Sequence, residues 1–366
     1  MQLRYTSIVA PLPSTVPFVG PEAQERTRGV AFKARIGANE SVFGPSPKAI
    51  AAMRQAAAEC WMYCDPENYD LKAALAQELG LSSANIVVGE GIDSLFGYTV
   101  RLFTAPGDIV VSSLGAYPTF NFHITGYGGR LVTVPYVGDR EDPASLLEAV
   151  RRERPKLVFL ANPDNPMGSW WPAHAVQALV DAVPMDTVLV LDEAYIEFAP
   201  PGTAPDLDVS RPNVIRYRTF SKAYGMAGAR IAYAIAEASV AKAFDKIRNH
   251  FSVNRIAQAG ALAALADKAH LASVIEKVAR ARERIGAIAR ANGLVPLASA
   301  TNFVTIDCGR DGAYAKRVLD GLIAQGVFVR MPGVAPLNRC IRVSAGTEAD
   351  LAAFAETLPR ALADAA

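Results

Sequence analysis

An excess of charge of either sign is missing from this 366-residue chain: 37 Lys plus Arg stand against 36 Asp plus Glu, a formal net charge of +1. A chain so balanced has no field to draw nucleic acid or an anionic membrane surface, and neither is expected as a partner. Cysteine is scarce, with four residues: Cys60, Cys64, Cys308 and Cys340. Cys60 and Cys64 share a Cys-x-x-x-Cys spacing, but no second ligand pair follows, and His123, His174, His250 and His270 are scattered. No metal is therefore expected, and the cysteines read as reduced thiols. Long apolar runs are absent too. The longest uncharged stretch, Ile109 to Gly129, is broken by Pro118 and several glycines and is no credible membrane span. Residues Met1 to Ser7 lack the apolar stretch and small-residue cleavage site of a signal peptide, so a cytoplasmic location is expected. No internal repeat or low-complexity linker is visible.

What is present is ordinary globular composition, 51% hydrophobic and 20% charged, over a length that suits a large core and two domains. The first ~30 residues are rich in Pro and Gly and read as an arm rather than a core element. Ser46-Pro47 predicts a capped helix start with Pro at the first helical position, running to about Glu59, and a second helix from Leu71 stops at Gly80. Short β-branched apolar runs then recur at Ile86–Val88, Ile109–Val111, Leu131–Val134, Leu157–Leu160, Val188–Leu191, Val214–Tyr217 and Ile231–Ile235. Helical stretches such as Asp93–Phe103, Pro143–Arg152 and Pro172–Ala182 separate several of them. Apolar strands alternating with helices predict an α/β fold whose sheet of about seven strands is mostly parallel and covered on both faces. Ala238 to Arg290 reads as two or three helices, and Thr301–Ala366 as strand, helix, strand, strand, helix. The expected division is an arm over 1–39, a large domain over 40–240, a helical connection over 241–295 and a small C-terminal α/β domain over 296–366.

The chemistry concentrates in Thr219-Phe220-Ser221-Lys222-Ala223-Tyr224-Gly225-Met226-Ala227-Gly228-Ala229-Arg230. Lys222 precedes a run of mostly small uncharged residues that lets a cofactor approach the backbone, and Arg230 lies eight residues on. A lysine whose neutral amine is accessible forms a Schiff base, and a neighbouring cation disfavours its ammonium form. Asp192 ends the apolar strand Thr187–Leu191, and ligands of parallel sheets bind at the carboxyl ends of strands. A buried acid there requires a cation or donor, which a protonated pyridine nitrogen supplies. Tyr195 and Asn165, the latter in Asn162-Pro163-Asp164-Asn165-Pro166, are candidates to hydrogen-bond the ring's phenolic oxygen. Glu193 reads as loop support. Thr219, Ser221 and Arg230 suit a phosphate, as does the strand-to-helix turn Glu90-Gly91-Ile92-Asp93-Ser94, where Gly91, Ile92 and Asp93 present helix N-terminal N–H groups. Tyr117 is the candidate to stack on the ring, with Phe120 as runner-up. An amine, a carboxylate, a phenol, an amide and an anion cluster together predict a pyridoxal 5'-phosphate enzyme.

The order Asn-Pro-x-Asn-Pro, Asp-Glu-Ala-Tyr (192–195), Ser-Lys-Ala-Tyr-Gly-x-Ala-Gly-x-Arg (221–230) and the late Arg342-Val343-Ser344 resembles the fold-type I aminotransferases of class I/II. Within them the chain is most similar to the histidinol-phosphate aminotransferase group, from about Pro17 to the C-terminal helix. The resemblance implies the aspartate aminotransferase-like fold and a homodimer in which Tyr63 reaches the cofactor phosphate of the other subunit. It implies that Arg342, placed by strand alternation on one face with Cys340 and Ser344, clamps a substrate carboxylate or phosphate, with Arg330 as a second cation. Asn39 resembles the family's Asn-Glu turn. Phe18 stands where many relatives have a tyrosine, which removes one phosphate donor and speaks for an aromatic or other apolar amino acid.

The function expected is transfer of an amino group from histidinol phosphate or an aromatic or other amino acid to an oxo acid, with 2-oxoglutarate as the expected acceptor. Lys222, Asp192 and Tyr195 are its expected catalytic residues. A decarboxylase of the threonine-phosphate type is the alternative, and a ligand-sensing module that keeps the cofactor without catalysis is a third reading.

Overall fold

The computed structural model of the protein describes residues 4–14 and 18–366; of the expected arm, residues 1–3 and 15–17 lie outside the described residues, as does Pro17, where the resemblance begins. Seven strands build the main sheet: β1 (Ile86–Gly89), β2 (Ile109–Ser113), β3 (Arg130–Val134), β4 (Leu157–Ala161), β5 (Val188–Asp192), β6 (Val214–Thr219) and β7 (Ala232–Ile235). Their order is β1-β7-β6-β5-β4-β2-β3. Every neighbouring pair is parallel except those of β7, which runs antiparallel to β1 and β6. The α/β class and the mostly parallel seven-stranded sheet are as the sequence predicts.

The runs are apolar without alternation because both faces are covered. Val190, Phe159 and Val110 point into one hydrophobic cluster, with Phe96, Phe120 and Tyr217. Their chain neighbours Leu189, Leu191, Leu160 and Val111 point into another, with Leu146, Val176 and Leu179 from the helices Pro143–Glu153 and Ala173–Ala182. Each such side chain fully buried stabilises the fold by roughly 1.5–3 kcal/mol. The sheet's packing thus fixes its strand ends rigidly. The carboxyl ends of β1, β4, β5 and β6 lie along one edge and deliver Gly89–Gly91, Asn162, Asp192 and Thr219–Lys222 to it.

Beyond the helix Lys268–Ala291, two further strands, β8 (Phe303–Asp307) and β9 (Cys340–Ser344), pair antiparallel, with Val295–Pro296 on the other side of β8. The helices Gly312–Ala324 and Glu348–Ala365 complete the strand, helix, strand, strand, helix order read from sequence, with Val327–Phe328 as the short middle strand. That short strand pairs in parallel with Ala34–Arg35, which ties the chain's beginning to its end. Among the described residues no helix is long and apolar enough to cross a membrane.

Two helices escape the sequence reading. Pro21–Arg28 lies within the supposed arm, started by Pro21 and ended by Gly29 at φ 71°. Its Pro-rich approach hides it, and only Pro21 is buried. Pro118–Gly126 lies in the uncharged run after β2 and buries Phe120 and Ile124.

Candidate active site

Asp192 closes β5 and is 6% exposed. Among the described residues its carboxyl accepts a single hydrogen bond, from the Ala194 N–H at 2.9 Å. Burial, against which one N–H and the more distant Lys222 charge are weak compensation, pushes its carboxyl up to about 7. An ionised acid in this place calls for a cationic partner that the chain itself does not bring into contact.

Lys222 follows β6 in a tight turn. The Ser221 N–H donates to Thr219 Oγ1 (3.0 Å), the Gly225 N–H to the Lys222 carbonyl (3.1 Å) and the Met226 N–H to the Phe220 carbonyl (2.9 Å). Gly225 sits at φ 69°, and a Cβ there would lie 2.3 Å from the Gly44 carbonyl oxygen, so no other residue closes this turn. The half-buried Lys222 projects Nζ to the Asn39 carbonyl oxygen (3.1 Å), with the Tyr195 ring centroid 5.5 Å away.

An anion cradle forms where β1 enters the helix Ile92–Phe103. Gly91 has φ 99°, and a Cβ on it would stand 2.2 Å from Arg230 Nη2. The missing side chain is what lets the Arg230 guanidinium lie across the start of this helix. Arg230, itself at φ 57°, is tethered by Nη1 to the Ala227 carbonyl (3.1 Å) and has Nη2 3.6 Å from Asp93 Oδ2. The first-turn N–H groups of Ile92 and Asp93 have no acceptor one turn back, as at any helix start. Together these donors suit a phosphate. Tyr117, which caps the helix Pro118–Gly126, donates its hydroxyl to Asp93 Oδ1 at 2.9 Å, and burial pushes its phenol well up. Tyr117 is thus at the cradle, whereas Phe120 is wholly buried between Phe96 and Phe159 and is no stacking residue.

Asn39 links the two halves of the cluster. It is 2% exposed, at φ 56°, and donates Nδ2 to the Tyr195 hydroxyl (3.1 Å). Its Oδ1 accepts from Ser344 Oγ (3.0 Å), and its carbonyl accepts from Asn302 Nδ2 (2.9 Å) besides Lys222. Arg342, on β9, donates Nη1 to Asn165 Oδ1 and Nη2 to the Gly37 carbonyl (3.3 Å). Its Nε is enclosed with no partner among the described residues, and burial draws the guanidinium down to about 10, with the nearby Arg330 charge acting in the same direction. Arg330 pairs with Arg342 through the backbone, lies 4.5 Å from the centroid of the Phe18 ring and donates Nη1 to the Val19 carbonyl (3.1 Å).

Lys222, Asp192, Tyr195, Asn39, Asn165, Arg342, Arg330 and Phe18 are therefore brought toward one region, with Arg230, Gly91, Ile92, Asp93 and Tyr117 grouped at the helix start and Thr219 and Ser221 in the turn that carries Lys222. Tyr63 is not joined to this cluster: it is 77% exposed and stacks on Phe251 with centroids 4.5 Å apart. Glu193 turns away from the site to bind Arg216 (3.1 Å) and Arg218 (2.9 Å), as loop support requires. Sequence reasoning missed Asn302 and the role of Ser344 as a brace for Asn39. Asn302 is a lone amide before β8, and no local signal marks it.

A pyridoxal phosphate molecule fits this donor set. It would find an amine at Lys222, an uncompensated buried acid at Asp192, and a phosphate cradle that only a glycine at 91 leaves open.

Comparison with known proteins agrees. The family model of the class I and II aminotransferases matches residues 33–358. A histidinol-phosphate aminotransferase of Anaeromyxobacter sp. (strain Fw109-5) is 37% identical over 342 residues, covering 92% of this chain and 93% of the relative. The crystal structure of histidinol-phosphate aminotransferase from Sinorhizobium meliloti in complex with pyridoxal-5'-phosphate is 57% identical with a TM-score of 0.98, covering 100% of this chain and 99% of that one. An L-threonine-O-3-phosphate decarboxylase from Porphyromonas gingivalis, 21% identical with a TM-score of 0.79 over 90% of this chain and 99% of its own, shares the fold alone.

Proposed function

The chain belongs to the class I and II aminotransferases and is a pyridoxal phosphate-dependent transaminase, and from that premise we propose that its amino donor is histidinol phosphate and its acceptor 2-oxoglutarate. One observation carries the choice of donor. Arg342 and Arg330 meet across a backbone bridge, and the enclosed Arg342 Nε has no partner among the described residues. Two guanidiniums side by side repel unless an anion joins them, and a phosphate dianion answers two charges where a single α-carboxylate answers one. Phe18 offers no hydroxyl to that anion, so in this reading the arginines and Asn165 carry the recognition.

When bound, the cofactor supplies an electron sink that stabilises negative charge at the donor's Cα. Lys222 Nζ takes the proton from that carbon as general base and later returns one as general acid. Among the described residues its Nζ donates to the Asn39 carbonyl and ion-pairs with no carboxylate. Asp192 would accept from a protonated pyridine nitrogen, a cationic partner that would favour the acid's ionised form. Tyr195 and Asn165 would hold the ring's phenolic oxygen, with Asn39 fixing the Tyr195 hydroxyl. Arg230, Ser221, Thr219 and the N–H groups of Ile92 and Asp93 would hold the phosphate, the Gly91 N–H being donated to the Gly89 carbonyl (2.9 Å). Tyr117 would border the ring.

The same reading makes the enzyme a cytoplasmic homodimer with Tyr63 reaching the phosphate site of the other subunit. The exposed aromatic group Trp61 (81%), Tyr63 (77%), Tyr69 (69%) and Phe251 (40%) supports it, because a monomer seldom leaves so many large rings in water. Four free thiols suit a reducing compartment.

The donor assignment is tested by comparing kcat/KM for histidinol phosphate, histidinol and phenylalanine at saturating 2-oxoglutarate. Loss of the phosphate removes two or more charge-assisted hydrogen bonds, so histidinol is expected to fall at least about 10²-fold below its phosphate, mostly in KM. Phenylalanine as the best of the three would assign Arg342 to a carboxylate and Phe18 to an apolar pocket.

A further inference from the structure

Two carboxyl groups are buried against each other beside the loop that carries Asn165, and no cation neutralises them. Glu141 precedes the helix Pro143–Glu153, and Asp164 stands in the loop leaving β4; each is 1% exposed. Glu141 accepts from Ser113 Oγ (2.8 Å) and the Ala161 N–H (3.2 Å). Asp164 accepts from the Tyr136 hydroxyl (2.8 Å) and the Met167 N–H (3.1 Å), and the two carboxyls act on each other from either side of the end of β4. Neither forms an ion pair among the described residues. Two bare carboxylates in contact in a dry interior repel strongly, so the pair retains a proton.

We propose that Glu141 and Asp164 form a proton-sharing pair that sets the charge behind Arg342, and through it the affinity for the substrate's anionic group. The proposal rests on the reading of Arg342 as the anion clamp. Asp164 is the chain neighbour of Asn165, whose Oδ1 takes Arg342 Nη1, and the charges of Asp164 and Arg342 act on each other. The other ionisable groups facing the pair are few. The Tyr136 phenol is held protonated by burial, and Arg140 lies across the Trp171 ring (5.4 Å), whose indole N–H donates to the Glu141 carbonyl. Further out, Arg339 answers Asp139 (2.7 Å) and Asp307 (2.8 Å), a cluster neutralised within itself apart from one charge.

Burial raises both acids, Glu141 well up and Asp164 to about 7. The pair therefore passes from neutral to singly negative as pH rises through neutrality, while Glu141 keeps its proton. Once negative, Asp164 answers part of the Arg342 charge and competes with the substrate for it. Affinity for an anion should fall over that interval. Asp164 and Glu141 act as positioning residues here, since neither touches the reacting atoms.

The test is the dissociation constant of 2-oxoglutarate on the cofactor-loaded enzyme across pH 6–9, an interval in which its own carboxylates stay ionised. In that form the enzyme has no amino group to transfer, so binding is read without turnover. Wild type is expected to weaken about 3- to 30-fold from pH 6 to pH 9, the effect of one charge several ångströms away at intermediate dielectric. Asp164→Asn cannot charge and should hold the tighter, low-pH constant throughout. Glu141→Gln keeps a neutral donor on Asp164 and should follow the wild-type curve, which assigns the titrating charge to Asp164. A pH dependence arising elsewhere in the site is common to the three proteins and cancels in their comparison. Equal slopes in the three proteins, or a uniform weakening in both variants, would overturn the proposal alone and leave the pair a packing element. Absence of saturable binding at every pH in wild type would overturn the Arg342 reading and the proposal with it.

Discussion

Lys222→Ala is expected to lower turnover by at least about 10⁴-fold while the protein stays folded and keeps its cofactor. Proton transfer by a placed side chain contributes about 10²–10⁴-fold on its own, and Lys222 also supplies the covalent attachment, so the two losses compound. The structural cost is small by comparison. The side chain is half-buried and its one hydrogen bond is to the Asn39 carbonyl, worth about 1 kcal/mol. Asn39 remains held by Tyr195, Ser344 and Asn302, so the cluster does not collapse around the deletion. The phosphate cradle of Arg230 and the helix start at Gly91 is untouched, which is why cofactor should still copurify, but without the absorbance of its lysine-bound form. Turnover, melting temperature and bound cofactor measured on one preparation separate these effects. Activity within tenfold of wild type would remove Lys222 from the chemistry.

Asp192→Asn is expected to move stability and activity in opposite directions. Breaking a buried pair by removing one partner costs roughly 3–5 kcal/mol, which corresponds to about a 10²- to 10⁴-fold loss in kcat if the pair is needed for the reaction. Without cofactor the sign reverses. The carboxyl's folded-state value, raised to about 7 from the ordinary 3.8, means the folded protein binds this proton more tightly than the unfolded chain. Its unfavourable contribution is absent below about pH 4, grows as pH rises from there to about 7, and is complete above that. At ~1.4 kcal/mol per pH unit the penalty reaches a few kcal/mol at most. Cofactor-free Asp192→Asn should therefore unfold at higher denaturant than cofactor-free wild type at pH 8, with the difference vanishing toward pH 4. Denaturant melts at those two pH values check it. A variant less stable at pH 8 would mean that the acid is satisfied by the protein alone.

Much of this was legible in the chain, for reasons that differ by residue. The seven strands stand where the sequence places them because a sheet covered on both faces turns almost every strand residue apolar, a signal that survives without alternation. What that signal lacks is direction: Ala232–Ile235 is as apolar as its neighbours, and nothing in it says that it runs antiparallel. The Lys222 segment and the Asp192 strand end are local, since each carries its chemistry on a few consecutive residues. Gly91 and Arg230 lie 139 positions apart but each bears its own mark, a turn before a helix and a cation after small residues. Asn302 and Glu141 bear none, and the motif that contains Ser344 does not say that it braces Asn39. Their partners (Asn39 for Asn302 and Ser344, Asp164 for Glu141) come from distant segments, so only the fold makes them neighbours. The helix Pro21–Arg28 was hidden by the prolines around it, though the Pro21 that starts it and the Gly29 that ends it are the usual marks of helix ends.

The most direct test of transamination by this site is a single turnover of the cofactor-loaded wild-type enzyme with histidinol phosphate and no acceptor. The expected result is stoichiometric loss of the lysine-bound cofactor's absorbance, one equivalent of pyridoxamine phosphate and one of oxo product, with no carbon dioxide released when amino acids replace the donor. Cofactor left unchanged by every donor offered, or carbon dioxide in place of an oxo product, would contradict it.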